Sequence, residues 1–128
     1  MHRFPIRVYY EDTDMAGIVY YANYLRYIER ARSDWVRGLG IDQMALRDEE
    51  GLVFAVRRIE ADYLKSAHFD EELVVETTLA RLTPARLVMH QKILRDGEAL
   101  FEAEVVVVCM STEGQPARLP ANIRQQLQ

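Results

Sequence analysis

Three carboxylates lie within four positions near the start of the chain, in the stretch EDTDMAGIVYYANY from Glu11 to Tyr24. A carboxylate can attack an acyl carbon directly or take a proton from water. Gly17 follows the acids and indicates either a special backbone conformation or a close approach by another group. The residues from Ile18 to Tyr21 are too apolar for an exposed loop. The stretch therefore predicts a carboxylate at the edge of an apolar pocket.

Other uses of the acidic cluster fit the sequence less well. Asp12 and Asp14 have the Asp-x-Asp spacing of haloacid-dehalogenase-like phosphatases. Those enzymes alternate strands with helices, whereas the strand-like runs here follow one another as hairpins. A calcium loop needs oxygen ligands at its later positions, which here run from Gly17 to Tyr20. The histidines and Cys109 are scattered without zinc-ligand spacing, so we expect no metal site.

The composition excludes several classes of protein. The chain has 128 residues and a formal net charge of -4, which argues against a general nucleic-acid binder because phosphate neutralisation needs clustered Lys and Arg. A hydrophobic fraction of 49% is typical of one globular domain, expected here over residues 1–128. No apolar run approaches the roughly 20 residues that span a bilayer, and no signal-type stretch develops. We expect a cytoplasmic protein without a membrane span.

One long helix follows the acidic stretch directly. From Ala22 to Gly38, apolar residues recur at four-three-four spacing while charged residues fill the other faces. The apolar positions are Tyr24, Ile28, Ala31 and Trp35. Asn23 is a candidate N-cap, and Gly38 or Gly40 a candidate stop. Unpaired N–H groups of the first helical turn, together with the helix dipole, would stabilise negative charge on a carbonyl oxygen.

Strand-like runs account for most of the remaining chain. Pro5 to Tyr10 predicts a strand, and four further runs follow Gly51: LVFAVRRIEADYL, VVETTLARL, RLVMHQKIL and ALFEAEVVVVCM. Asp96-Gly97 predicts a hairpin turn, and Thr83-Pro84 a second turn. The order predicts an α+β fold in which one long central helix is wrapped by a curved, mainly antiparallel sheet. One helix cannot cover both faces of the apolar run Val105 to Met110, so we expect a homodimer at least.

The chemistry that suits one carboxylate beside a helix entrance is thioester hydrolysis. Attack on the acyl carbon pushes negative charge onto the carbonyl oxygen, and backbone N–H groups can stabilise this charge by donating hydrogen bonds to that oxygen. A leaving thiol has a pKa of about 8.5 and departs as thiolate with little acid assistance. The sequence contains no Gly-x-Ser-x-Gly elbow that would indicate a serine hydrolase.

The segment RVYYEDTDMAGIVYYANYLRYIERAR, from Arg7 to Arg32, resembles the signature of hot-dog acyl-CoA thioesterases of the 4-hydroxybenzoyl-CoA thioesterase type. It is most similar to the branch associated with the bacterial Tol-Pal cell-envelope system, and the similarity extends through EAEVVVVCM to the tail ARLP. The resemblance implies that Asp14 is the catalytic carboxylate, as nucleophile or general base. It also implies that the backbone N–H of Tyr21 polarises the thioester carbonyl. Members of this branch commonly carry His where this chain has Tyr21, so no histidine role carries over.

The resemblance also implies supporting residues. Gly17 matches the glycine of the signature, Thr13 lies between the two aspartates, and Glu29 occupies the acidic position of the helix. For Glu29, a surface ion pair with Arg26 or Arg32 is an equal alternative.

Three residues are predicted to contact the substrate, namely Val19, Tyr20 and Arg86. Arg86, like Lys65, lies near a predicted strand end and is a candidate contact for the phosphates of CoA, with ordinary solvated charge as the alternative.

The expected partners are acyl-CoA, acyl carrier protein and further copies of the chain. The resemblance implies a homodimer or homotetramer with active sites at the subunit interface, and no cofactor. The alternative is a non-hydrolytic module on the same fold, which binds acyl-CoA or acyl carrier protein or takes part in an envelope-associated interaction.

Overall fold

A computed structural model describes residues 1–128, and its five strands form one antiparallel sheet in the order β1-β3-β4-β5-β2. The strands are β1 His2–Arg7, β2 Leu52–Tyr63, β3 Glu72–Leu82, β4 Arg86–Arg95 and β5 Glu98–Ser111. The helices are α1 Tyr21–Gly38, α2 Gln43–Glu50 and α3 Ala121–Leu127, and a 3-10 turn covers Tyr10–Asp12. None of the helices combines the length and apolarity needed to cross a bilayer.

Helix α1 lies on one face of the sheet and supplies the centre of the core. Its side chains at Tyr24, Ile28 and Ala31 are buried, as the four-three-four spacing predicts, and Trp35 packs partly buried at the edge of the same cluster. The facing positions of the sheet alternate between buried and exposed residues along β3 and β4. Burial of each large aliphatic or aromatic side chain contributes about 1.5–3 kcal/mol. The predicted arrangement of one long helix against one antiparallel sheet is confirmed.

The predicted turns are confirmed, but only three strands form a meander. Asp96 and Gly97 connect β4 to β5 with φ of 49° and 81°, which is the positive-φ pair that an Asp-Gly hairpin provides. Thr83 N–H donates to the Arg86 carbonyl at 2.9 Å between β3 and β4. Strand β2 does not pair with β3, its neighbour in sequence, but crosses to the far edge and pairs with β5. The segment from Leu64 to Glu71 makes this crossing.

The ends of several elements differ from the prediction. Strand β1 occupies His2–Arg7, because the chain turns into the 3-10 segment before Tyr10. Helix α1 begins at Tyr21 with Tyr20 as N-cap, so the prediction of Asn23 as N-cap is wrong. Helix α3 was not predicted, since its seven residues are mostly polar. Two of them, Ile123 and Leu127, are buried in the core.

Candidate active site

The acidic stretch folds into a tight hairpin in front of α1. Thr13 and Val19 form an isolated β-bridge, and Asp14 N–H donates to the Ile18 carbonyl at 2.9 Å. Gly17 lies at the bend with φ of 78°, and a Cβ added there would meet no atom within 4 Å. The positive φ confirms the special backbone conformation expected of Gly17, and no other part of the chain approaches it closely.

Only one of the three acids in this hairpin is both held in place and free to react. Asp14 is exposed; its Oδ1 accepts a hydrogen bond from Ala16 N–H at 2.9 Å, and its other oxygen has no partner in the chain. Asp12 is half-buried, and its carboxylate accepts the N–H of Tyr9 at 2.9 Å. Glu11 is exposed and makes no hydrogen bond within the chain. The geometry thus separates a structural acid, Asp12, from an available one, Asp14.

The entrance of α1 lies at the base of the hairpin. Tyr20 N–H donates to the Asp12 carbonyl at 2.9 Å, and Asn23 N–H donates to the Tyr20 carbonyl at 2.8 Å. The N–H groups of Tyr21 and Ala22 have no intrahelical acceptor by position, and no other hydrogen bond of the chain uses them. An 18-residue helix therefore presents free donors and the positive end of its dipole beside the hairpin.

A group of aromatic rings forms one wall of this region. The Tyr63 ring stands edge-on to Tyr21 at 6.3 Å and to Tyr24 at 5.5 Å, and its hydroxyl donates to the Tyr21 carbonyl at 3.2 Å. Phe101 stacks on Tyr24 at 5.4 Å. Burial raises the pKa of Tyr24, and the negative charge of Asp14 adds to the rise although other contacts oppose it. Sequence reasoning missed Tyr63 and Phe101 because they lie on β2 and β5, far along the chain from the hairpin.

The crossing segment between β2 and β3 supports the hairpin from behind. The Ala67 carbonyl accepts Val19 N–H at 2.9 Å, and Ala67 N–H donates to the Tyr24 hydroxyl at 3.0 Å. Ile18 forms a bridge with His68. This support was also missed, since the residues Ser66 to His68 carry no chemical signal in sequence.

Glu71 and Arg95 fix the crossing segment in turn. The Arg95 guanidinium donates to both Glu71 carboxylate oxygens, at 2.9 and 3.1 Å, and His68 N–H donates to the same carboxylate at 2.7 Å. Partial burial works to raise the pKa of Glu71, but these hydrogen bonds outweigh it and hold the pKa below its ordinary value.

The remaining predicted site residues lie at different distances from the hairpin. Thr13 donates its hydroxyl to the Tyr10 carbonyl at 2.7 Å and closes the hairpin base. Val19 is buried beneath the hairpin, whereas Tyr20 is exposed next to Tyr21. Lys65 forms an ion pair with Glu98 at 2.6 Å.

Glu29 lies in the middle of α1, away from the hairpin. It accepts a hydrogen bond from the Ser33 hydroxyl at 2.9 Å and forms no ion pair within 4.0 Å, so the surface ion pair with Arg26 or Arg32 is wrong. Glu29 and Arg32 instead line a cavity of about 160 Å³ between α1 and β2, whose apolar walls include Phe54 and Val56. Burial lowers the pKa of the Arg32 guanidinium, which donates to the buried Gln91 amide oxygen at 2.9 Å.

Arg86 lies at the opposite end of β4 from the hairpin. The nine residue steps from Arg95, which holds the crossing segment, correspond to roughly 30 Å along a strand. On the sheet face turned away from α1, Arg86 shares a hollow of about 360 Å³ with Arg57, Arg58 and Arg81. Among these arginines only Arg58 has a carboxylate partner, Glu60.

The structure contains no group of three or more His, Cys, Asp or Glu side chains arranged to hold a metal ion. Cys109 is buried in β5, and burial raises the pKa of its thiol. This cysteine is a core residue, as its apolar sequence context indicates.

The sequence and the fold are similar to those of known thioesterases. Residues 8–127 match the profile of the Thioesterase-like superfamily. The chain is 38% identical over 122 residues to acyl-CoA thioesterase YbgC of Haemophilus influenzae, covering 94% of this chain and 90% of that protein. A probable thioesterase from Bartonella henselae superposes with a TM-score of 0.89 at 40% identity, covering 93% and 98% of the two chains.

The hot-dog fold predicted from the resemblance is confirmed by a third comparison. A mutant 4-hydroxybenzoyl CoA thioesterase, complexed with 4-hydroxybenzoyl CoA, has a TM-score of 0.91 with this chain at 21% identity, covering 98% and 97% of the two chains. At that identity the likeness concerns the fold alone. Together with the profile match and the relative at 38% identity, it leads to one conclusion. The chain belongs to the Thioesterase-like superfamily and is, as a member of it, a thioesterase of the hot-dog fold.

Proposed function

We propose that this protein hydrolyses acyl-CoA to the free acid and CoA, with Asp14 as nucleophile or general base and the N–H of Tyr21 as donor to the thioester carbonyl. The observation that carries the proposal is a carboxylate with one free oxygen, on a hairpin hydrogen-bonded to a helix entrance whose first two N–H groups are unused. Relatives named acyl-CoA thioesterases support the choice of substrate.

The chemistry runs through one of two balanced routes. As nucleophile, an Asp14 oxygen bonds to the acyl carbon and the carbonyl electron pair moves to oxygen. Collapse of this tetrahedral intermediate breaks the C–S bond, expels CoA thiolate and leaves a mixed anhydride that water then hydrolyses. As general base, Asp14 takes a proton from the water that attacks the same carbon. Collapse of the resulting oxyanion breaks the C–S bond and releases the free acid and CoA thiolate, which takes up the proton. In both routes the oxyanion accepts a hydrogen bond from the helix N–H, and one such donor lowers the barrier by about 3–4 kcal/mol. Label found in the Asp14 carboxylate after a single turnover in oxygen-18 water identifies the nucleophilic route, because it enters only when water attacks the Asp14 carbonyl of the anhydride.

The catalytic assignment is tested by replacing Asp14 with Asn and measuring hydrolysis of a panel of acyl-CoAs. We expect kcat to fall by about 10²–10⁴-fold, the usual contribution of a positioned acid or base. Glu11→Gln is the matched control, because it removes an exposed charge from the same hairpin and should leave kcat unchanged. Equal rates for wild type and Asp14→Asn would contradict the assignment. Tight binding of acyl-CoA without any turnover by wild type would favour the non-hydrolytic module.

The proposal extends to a site shared between two copies of the chain, each taken as one catalytic domain over residues 1–128. Strand β2 is an edge strand with unpaired backbone groups, which a second β2 can satisfy. Antiparallel pairing along the full strand would set Tyr63 of one copy beside Leu52 of the other. Within one chain, the arginine hollow around Arg86 lies roughly 30 Å from the end of β4 that is next to the hairpin. In the dimer, the hollow of the second copy would lie at the same end of the joined sheet as the hairpin of the first copy. A homodimer, alone or within a tetramer, would thus let the arginines bind CoA phosphates, or the acidic surface and phosphate of acyl carrier protein.

Co-expression of differently tagged subunits tests the sharing. Wild-type subunits are paired with an excess of the double variant Asp14→Asn, Arg86→Glu. Most subunits with an intact Asp14 then share their site with a subunit that lacks Arg86. A shared site predicts a raised KM for acyl-CoA in these heterodimers. Lys92→Glu replaces Arg86→Glu in the control, since Lys92 lies on the same strand and already pairs with Glu102. An unchanged KM, or a monomer at micromolar concentration, would exclude the shared site.

A further inference from the structure

Asn23 is a buried polar residue in the first turn of α1 that the reaction chemistry does not use. It is 7% exposed. Its side-chain nitrogen donates to the carbonyl oxygen of Asp12 at 2.9 Å, and its side-chain oxygen accepts from the Arg26 guanidinium at 3.2 Å. Because a guanidinium only donates, the contact with Arg26 fixes which end of the amide faces Asp12.

The Asp12 carbonyl is the point where the two arms of the site meet. It accepts Tyr20 N–H at 2.9 Å as well as the Asn23 amide. Asp12 precedes the catalytic carboxylate by two residues, and Tyr20 directly precedes the residue whose N–H is the proposed oxyanion donor. A displacement at this carbonyl therefore changes the distance between the carboxylate and the helix N–H groups.

We propose that Asn23 is a positioning residue for catalysis, which sets the placement of the Asp14 hairpin relative to the entrance of α1. The inference rests on the proposed function of Asp14 and Tyr21. Asn23 does not touch the substrate in this role. It acts through the backbone of Asp12.

A purely structural role for Asn23 predicts a different pattern of effects. Asn23 is not a helix cap, because its side chain bonds no N–H of the first turn. When the amide is removed, the Asp12 carbonyl keeps its bond from Tyr20 N–H, so no acceptor is left without a partner. The loss then falls mainly on the position of the hairpin, and a misplacement of about 1 Å can lower a rate by about 10²-fold.

The test compares Asn23→Ser and Asn23→Asp with the control Thr77→Val, using kcat, KM and thermal unfolding. Thr77 is buried far from the hairpin on β3 and accepts a hydrogen bond from Gln91 at 2.9 Å, so its variant loses a buried bond without touching the site. We expect both Asn23 variants to lose about 10–100-fold in kcat with little change in KM. Thr77→Val should lose stability and keep kcat. Unchanged kcat in Asn23→Ser, with a loss of stability like that of Thr77→Val, would overturn the proposal.

The pH profile of Asn23→Asp gives a second readout that a structural role would not move. Near neutral pH its added carboxylate lacks a donor for the Asp12 carbonyl, while its protonated form regains one. We expect the kcat of this variant, relative to wild type, to rise as the pH falls through the pKa of the added carboxyl, which burial raises and the Arg26 guanidinium lowers. Asn23→Ser should show no such rise. A flat ratio for both variants would count against positioning through this bond.

Two further measurements separate failure of this inference from failure of the proposed function. If Asp14→Asn is inactive while the Asn23 variants keep full kcat, only the positioning role fails. If wild type hydrolyses no acyl-CoA, amide hydrogen exchange still tests the positioning. Asn23→Ser should speed exchange at the Asp14 and Gly17 amides, both bonded inside the hairpin, and unchanged exchange there would refute the placement.

Discussion

Replacement of Tyr24 by Phe tests the link between α1 and the segment behind the hairpin. The Tyr24 hydroxyl accepts Ala67 N–H at 3.0 Å, and Ala67 is fully buried. The substitution removes only the hydroxyl oxygen and keeps the ring that stacks on Phe101 at 5.4 Å. Because Ala67 and Tyr24 are both buried, the Ala67 N–H would be left without its hydrogen-bond partner.

The magnitude follows from the unpaired donor that remains. A buried N–H without an acceptor costs about 1–3 kcal/mol, and a ring without its hydroxyl loses almost no packing. For a chain of this length we expect the melting temperature to fall by about 3–5 °C per kcal/mol. Tyr63→Phe is the matched control, since the Tyr63 side chain is 48% exposed and water replaces the lost bond to Tyr21.

Urea and thermal unfolding of both variants measure the difference. We expect the free energy of unfolding of Tyr24→Phe to fall by about 1–3 kcal/mol and that of Tyr63→Phe by less than about 0.5 kcal/mol. Equal small losses in the two variants would refute the reasoning, because they would mean that Ala67 N–H reaches water or another acceptor in the folded protein.

Three further substitutions test other parts of the site and core. Gly17→Ala should lower the free energy of unfolding by about 1–2 kcal/mol. The positive φ is the only cause, because no atom obstructs an added Cβ. A loss beyond about 3 kcal/mol in urea unfolding would contradict that open space. Glu71 has a lowered pKa, so its contribution to stability is present above the unfolded pKa of about 4.5 and disappears as the pH falls through the folded value. Glu71→Gln should therefore melt below wild type at pH 7, with the gap closing in acid. A gap that persists in acid would mean that the Arg95 ion pair is not its cause. Gln91→Leu should cost about 1–3 kcal/mol in unfolding experiments, since it leaves the Arg32 donor unpaired, and a stabilised variant would show that the buried amide is dispensable.

Local chemistry explains which parts of this fold can be predicted from sequence. The spacing of Tyr24, Ile28 and Ala31 predicts the buried stripe of α1 because a helix repeats every 3.6 residues regardless of its neighbours. Asp96-Gly97 predicts its hairpin because both residues tolerate positive φ. Helix α3 escapes prediction because its seven polar-rich residues depend on the core for stability.

The hairpin of the proposed active site is continuous in sequence, whereas its supports are not. Asp14, Gly17 and Tyr21 lie within eight positions, so one segment identifies the carboxylate, the bend and the helix entrance. The partners of this segment, Ala67 and Tyr63, come from positions more than 40 residues away, and no local periodicity encodes such pairings.

The sequence alone determined the type and order of most elements and singled out the segment of the proposed active site, because propensity, turn geometry and periodicity are local properties of the chain. Only the tertiary structure decided that β2 crosses to the far edge of the sheet, that Asp12 is structural while Asp14 stays available, and that Asn23 joins the hairpin to α1. These outcomes depend on which donor meets which acceptor once the core has formed. Packing of the whole chain into one core brings these distant groups together, and no local pattern in the sequence encodes it.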